Sequence, residues 1–287
     1  MQVATEEPAP ADPLRAALAQ RLATGQVRLP LLPRVASQVI ALVGNSKTDA
    51  SQLAELIHRD PALAGHVLRI ANSPAYIPRM PIVSLQQAVA RLGMSVVTEI
   101  AFAASVQGGV FRVPGYEPVL HQLWRHALAS GAFAKEIARA RRLNVESAFL
   151  CGLLHAVGKP ALLQLINDVA VAEREELDHA RLFALLDELH AVVGARIAEQ
   201  WSLPKPVTAA IGYYARYAEA GGFKQEAMIT CLADRIATHV LDPSTFGGDD
   251  GFRDTPVIAD LNLYPDDVTI LLAGKARVLE LVSSMVA

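Results

Sequence analysis

From Leu14 onward the apolar residues recur at intervals of three and four, and no stretch of strict two-residue alternation is long enough to require a sheet. That regularity leaves helices packed on helices as the architecture. The punctuation agrees with it. Asp60-Pro61 supplies an N-cap and a first-turn proline for a helix running to Ile70-Ala71, with Leu63, Val67 and Ile70 turned inward. Asn72-Ser73-Pro74 ends it, because proline cannot continue the hydrogen-bond ladder and restricts the residue before it. An earlier helix, around Ser51 to His58, carries Leu53, Leu56 and Ile57 inward. Ser84-Leu85-Gln86-Gln87 has the capping-box pattern, in which the first and last side chains satisfy each other's backbone amides. Leu85, Val89 and Leu92 follow at helical spacing, and Gly93 suits the left-handed C-terminal position.

A Gly/Pro-rich break, Gln107-Gly108-Gly109 through Pro114-Gly115, divides the chain. Beyond it the pattern predicts helices over about 119–141, 145–157, 180–201, 204–219, 223–240 and 265–285, with LDPSTFGGDDGFRDTP as a long surface loop. The expected organisation is all-α in two lobes, 14–115 and 116–287, after a flexible N-terminal linker over 1–13 where an upstream domain would attach. A chain of 287 residues, 52% hydrophobic and 19% charged, has enough apolar surface for a substantial core. Its Ala and Leu content, with only 6% aromatic residues, favours helix.

The function classes narrow on the same grounds. A formal net charge of −3 gives no general pull toward nucleic acid or anionic lipid, so neither is expected as a partner. The basic run Arg139-Ala140-Arg141-Arg142 ends a helix, where positive charge meets the helix dipole. The N-terminal MQVATEEPAPADP lacks a basic start and apolar run, and no uncharged apolar stretch approaches spanning length, so a cytoplasmic location is expected. Cys151 and Cys231 show no metal-ligand spacing and read as buried, reduced thiols.

One set of motifs narrows the reading further. Leu29-Pro30-Leu31-Leu32-Pro33, Asp60-Pro61-Ala62-Leu63, Leu68-Arg69-Ile70-Ala71-Asn72-Ser73, Ile82 and the Ala88–Gly93 helix end occur in order. Gly152-Leu153-Leu154-His155, His190 and Trp201-Ser202-Leu203-Pro204 continue the series. Each motif is weak alone; their order and spacing together resemble an HDOD domain, the HD-related output domain of bacterial signalling proteins, from about residue 28 to about 240. The resemblance implies a helical fold and a regulatory role, beside a receiver-type module of two-component regulation or another signalling partner. A homodimer and a small nucleotide ligand are further partners it allows.

The same resemblance exposes a departure. In HD metal phosphohydrolases the histidine of this segment is followed by an aspartate, and the pair holds the catalytic metal. Here Ala156 follows His155. His126, His155 and Asp234 match the pattern's first histidine, the histidine of the pair and the distant aspartate. A methyl group cannot coordinate, so the set is short of one ligand and one negative charge. The relatives also carry a histidine pair near Gly212-Tyr213-Tyr214, where phenols are poor ligands at neutral pH.

Each candidate keeps a plain alternative. His155 reads as a core histidine bonded to a carbonyl or to Asp234, or as a residual metal ligand. His126 is either half-buried or a ligand, and His190 either a packed imidazole or part of a ligand-binding cleft. Asp234, next to Arg235, is explained by pairing or by metal. Tyr213, Tyr214 and Tyr217 read as an aromatic cluster that packs the core or stacks a base. Lys159 reads as a solvated helix end or as a ligand-binding cation. Binding surfaces are expected at the cleft around His155, Lys159 and Asp234, or near Asn72–Arg79. The leading expectation is a non-catalytic signalling domain needing no cofactor, apart from a residual divalent ion. The rival is a phosphohydrolase acting on nucleotides or cyclic dinucleotides through a three-ligand site.

Overall fold

The computed structural model describes residues 12–25, 29–43, 50–76, 80–107 and 110–286. Among these residues there is no strand. The helices are α1 (Pro13–Ala23), α2 (Arg34–Val43), α3 (Ala50–His58), α4 (Pro61–Ala71), α5 (Leu85–Leu92) and α6 (Met94–Gln107). They continue as α7 (Glu117–Ala140), α8 (Val145–Leu154), α9 (Gly158–Glu173), α10 (His179–Gln200), α11 (Lys205–Tyr213) and α12 (Lys224–Leu241). The chain ends with α13 (Asp249–Arg253), α14 (Pro256–Asp260), α15 (Pro265–Ala273) and α16 (Lys275–Val286). The all-α expectation stands.

Helices α2 to α6 pack on one another, while α7 to α12 form the second group. One buried core runs through both. The first helix departs from the expected division, because α1 packs on α9 and α10 rather than on α2 to α6. Its start is also tighter than a linker: Asp12 caps α1 by accepting from the Leu14 amide at 3.0 Å and pairs with Arg181 of α10 at 2.7 Å. Residues 1–11 of the expected linker, and Gly108-Gly109 of the expected break, lie outside the described residues.

Local signals in the first half hold with one shift. Asp60 accepts from the Leu63 amide at 3.1 Å, Pro61 opens α4, and Leu63, Val67 and Ile70 are buried. Asn72 then clasps the returning chain, its side chain donating to the Ile82 carbonyl at 2.8 Å and accepting from the Ile82 amide at 2.7 Å. Ser84 caps α5 at the Gln87 amide, but the Gln87 side chain reaches back to the Val83 amide at 2.9 Å instead of to Ser84. Gly93, with φ 85°, closes that helix.

The second half differs at three places. α9 lies where no helix was expected. Its proline falls in the first turn, where the missing amide would have had no intrahelical partner anyway. The predicted helix over 265–285 is two, broken at Gly274, and the one over 204–219 gives way after Tyr213 to a 3-10 turn, Tyr214–Glu219, with a non-helical kink at Arg216. The Gly/Asp-rich stretch is not wholly a surface loop either: it contains α13 and leads into α14, and Phe252 inside it is fully buried. One uninterrupted-looking apolar stretch, Val145–Glu173, is long and apolar enough to cross a membrane, but 78% of its apolar window is buried in this fold and it is the α8–α9 pair.

Two backbone crossings fix the centre of the second group. A Cβ on Gly152 of α8 would stand 2.5 Å from the Ser130 carbonyl oxygen of α7. A Cβ on Gly158 would stand 2.0 Å from the His190 carbonyl oxygen and 2.7 Å from the Gly194 amide nitrogen of α10. Only glycine lets these helices approach so closely, and the approach carries His155 into the interior between them.

Candidate functional site

The α8–α9 corner is where His155 sits, completely buried, with Ala156 and Lys159 following it on the wall of a large cleft. Its Nδ1 lies 2.7 Å from the Gly152 carbonyl oxygen, so Nδ1 carries the proton and donates. The other ring nitrogen, Nε2, faces Asp234 Oδ1 of α12 at 3.1 Å. In a neutral ring that nitrogen bears a lone pair, and a carboxylate oxygen offers only lone pairs. The junction therefore calls for a positive charge, either a second proton on the ring or a cation between the two atoms.

His126 of α7 completes the group. Its Nε2 lies 3.0 Å from the Thr238 hydroxyl and 3.5 Å from Asp234 Oδ1, while that hydroxyl donates to the Asp234 carbonyl at 2.9 Å. One donor atom from each of His126, His155 and Asp234 can be chosen so that all lie within 4.8 Å of one another. Burial alone would raise the Asp234 carboxyl. The hydrogen bond and charge of His155, with His126 and Lys159 nearby, outweigh it and hold the group at about 2. Burial presses His126 the other way, down to about 4, against the pull of Asp234.

The remaining expected residues divide. Tyr214 is buried and stands edge-on to the His155 ring, with centroids 4.8 Å apart. Its hydroxyl lies 3.1 Å from His190 Nε2, and since His190 Nδ1 donates to the Leu186 carbonyl at 2.9 Å, Nε2 accepts from the phenol. His190 is thus a satisfied neutral imidazole, held down at about 4 by burial and by Lys159 and His155, and Tyr214 separates it from the other two histidines' carboxylate. Burial, together with Asp234 and Asp187, pushes the Tyr214 phenol well up. Lys159 lines the cleft and pairs with Asp187 of α10 at 2.6 Å. Tyr213 is 39% exposed, and Tyr217 bonds Asp260 instead of joining its neighbours, so the three tyrosines do not form the expected cluster. Near the second expected surface, the Asn72 side chain is committed to Ile82, and residues 77–79 lie outside the described residues. Both cysteines are free and buried, as expected.

The cleft has a volume of about 1330 Å³. Sequence reasoning missed much of its wall, including Trp124, Phe183 and Arg235; Arg235 was visible only as a neighbour of Asp234.

The HDOD domain profile matches residues 29–217. The chain belongs to the HDOD family. Among relatives of this HDOD chain, an uncharacterised protein of Treponema pallidum is 27% identical over 195 residues, 65% of this chain and 37% of that protein. The chain therefore matches little more than a third of that relative's length. An HDOD domain protein of unknown function from Geobacter sulfurreducens has the same fold, with a TM-score of 0.71, 21% identity, and coverage of 94% of this chain and 97% of that one. A candidate signal transduction protein from Marinobacter aquaeolei also has a TM-score of 0.71, at 24% identity over 97% of this chain and 67% of that one. A candidate phosphohydrolase from Shewanella amazonensis scores 0.68 at 23% identity, covering 94% and 98% of the two chains. At these identities the structural likenesses establish the HDOD fold.

The donor set can be tested against the metal centre of an HD hydrolase. Where the resemblance expects the carboxylate of the pair, Ala156 presents a methyl on the cleft wall, and the side chain packed edge-on to His155 is the phenol of Tyr214. His126 Nε2 is engaged by Thr238. The residues present do not reproduce that centre; they leave three donors, a set that suits one small ion at most.

Proposed function

We propose that this HDOD protein is a non-catalytic, cytoplasmic signal-transduction domain that binds a small ligand or a partner protein at the cleft beside His155. The observation that carries the reading is Ala156. The glycine crossings of α8 on α7 and of α9 on α10 hold His155 in the interior, yet the residue that follows it presents a methyl group. Without that oxygen, a dication at the trio lacks charge neutralisation and orientation, and no attacking water is positioned. The Marinobacter protein, named as a candidate in signal transduction and longer than the part matched here, supports a module that works beside others. A receiver-type partner or a second copy of the chain is the kind of neighbour such a module would bias through helix packing.

Metal analysis of the purified protein, followed by titration with Mn²⁺ and Zn²⁺ and assay against a panel of phosphate esters, tests the reading. The expected result is no stoichiometric metal and no turnover. Stoichiometric metal with turnover that His155→Ala abolishes overturns it. That outcome belongs to the second reading, a three-ligand phosphohydrolase acting on nucleotides or cyclic dinucleotides. One observation favours it: the two lone pairs at His155 Nε2 and Asp234 Oδ1, 3.1 Å apart, are an arrangement a cation would satisfy.

A further inference from the structure

Arg235 is a cation on the wall of the cleft without a carboxylate. It lies on α12 directly after Asp234 and is half-buried. Its guanidinium carbon stands 5.9 Å from the centre of the Phe246 ring, and the guanidinium hydrogen-bonds the Cys231 thiol. Among the described residues no oxygen accepts from it. The contrast with its surroundings is sharp, because Lys159 is paired with Asp187 at 2.6 Å and Asp234 is engaged by His155 and His126. A guanidinium has five N–H donors and no acceptor, and a cation withdrawn from water without a counter-charge is unfavourable. Held over the Phe246 ring, the guanidinium keeps N–H donors available for a planar oxyanion.

A second group on the same cleft has the same deficit. Trp124 lines it, and its Nε1 is buried with no acceptor. Indole nitrogen is a donor only, so this group too lacks what an oxygen-rich ligand supplies. The volume of about 1330 Å³ is far more than an inorganic anion needs and lies above the roughly 300–1,000 Å³ common for small-molecule sites. Phe111, Leu120 and Phe183 add apolar wall.

We propose that the cleft takes an oxyanion, a phosphate monoester or carboxylate, carried on a flat apolar body, with Arg235 receiving the anionic group. This deepens the binding role proposed above for the same cleft and rests on it. Calorimetric titration of the full chain with 4-nitrophenyl phosphate and with 4-nitrobenzoate tests it, with inorganic phosphate and 4-nitrobenzyl alcohol as controls. At least one aryl anion should bind on the order of 10-fold more tightly than both controls, since it alone offers a charged acceptor and an apolar body together. The preferred anion names the head group.

Arg235→Met, which keeps the stem over Phe246, should remove most of that preference, and Arg235→Lys should restore only part of it. Trp124→Phe, which deletes the N–H and keeps ring packing, should weaken binding independently and serves if Arg235→Met does not fold. No binding of either aryl anion, equal affinity for the alcohol, or binding indifferent to Arg235→Lys and Trp124→Phe overturns the proposal while leaving the non-catalytic reading in place. Binding accompanied by release of 4-nitrophenol does the reverse: the anion site stands and the non-catalytic reading falls.

Discussion

His155 and Asp234 meet at a contact that calls for a positive charge: Nε2 faces Oδ1 at 3.1 Å while Nδ1 of the same ring donates to the Gly152 carbonyl. An amide in place of the carboxylate could donate to Nε2 and satisfy the neutral ring. Asp234→Asn should therefore change stability by less than about 1 kcal/mol, whereas Asp234→Ala should lose roughly 1–3 kcal/mol through an unsatisfied buried nitrogen. Urea unfolding of the three proteins gives the comparison. Equal losses for Asn and Ala would contradict the hydrogen-bond assignment.

Restoring the missing oxygen is the complementary change. Ala156 is half-buried on the cleft wall beside the trio. Ala156→Asp should raise affinity for Mn²⁺ or Zn²⁺ by about 10–100-fold or more, since even outer-shell changes at metal sites have effects of that size. Calorimetric titration reads it directly, and an unchanged isotherm would mean that position 156 does not face the donors.

Glu99 of α6 and Lys135 of α7 form an ion pair at 2.6 Å, with side chains only 11% and 13% exposed, linking the two helix groups. Burial raises the Glu99 carboxyl despite the lysine, so removal from water is the larger effect. Lys135→Met alone should cost about 3–5 kcal/mol by stranding the carboxylate, while Glu99→Met with Lys135→Met should be near neutral. Denaturant midpoints of the single and double variants decide it. A double variant as unstable as the single one would show that the pair itself stabilises the contact.

The fold should weaken in mild acid. His190 is held at about 4, below the ordinary value near 6.5, chiefly by burial. A histidine that resists protonation when folded contributes stability that is complete above about pH 6.5 and is lost as pH falls toward 4. His126, also at about 4, titrates in the same window. Thermal midpoints between pH 7 and 4 should fall, and His190→Gln should flatten the slope. A slope identical in the variant would remove His190 from the account.

Gly158→Ala should be severely damaging. The added carbon would lie 2.0 Å from the His190 carbonyl oxygen, so α9 and α10 must separate, and a loss of several kcal/mol or insoluble protein is expected. Near-normal thermal unfolding of the variant would contradict the close crossing.

Much of this was legible from residue order, and the failures have physical causes. Asp60-Pro61 and Ser84 announce helix starts because capping chemistry is local. His126, His155 and Asp234 are brought together as the motif order implies. α9 was hidden because Pro160 resembles a terminator and the helix is buried on several sides, from Ala161 and Leu162 to Val169, which blurs its amphipathic period. Phe252 draws a Gly/Asp-rich stretch into the core through a contact no local pattern encodes. The tyrosines diverge because a kink at Arg216 redirects the chain, placing Tyr214 against two histidines and Tyr217 against Asp260.

The bare meeting of Gly158 with His190 and Gly194 has a mechanical result. With no side chain to act as a cushion, α9 and α10 share one rigid joint, and a push on the Lys159–Asp187 bridge at the cleft rim cannot be absorbed there. On that joint rests α1, which packs on both helices and is pinned by Asp12 to Arg181 and by Arg15 to Glu188. A shift of the α9–α10 pair would therefore carry the first helix with it.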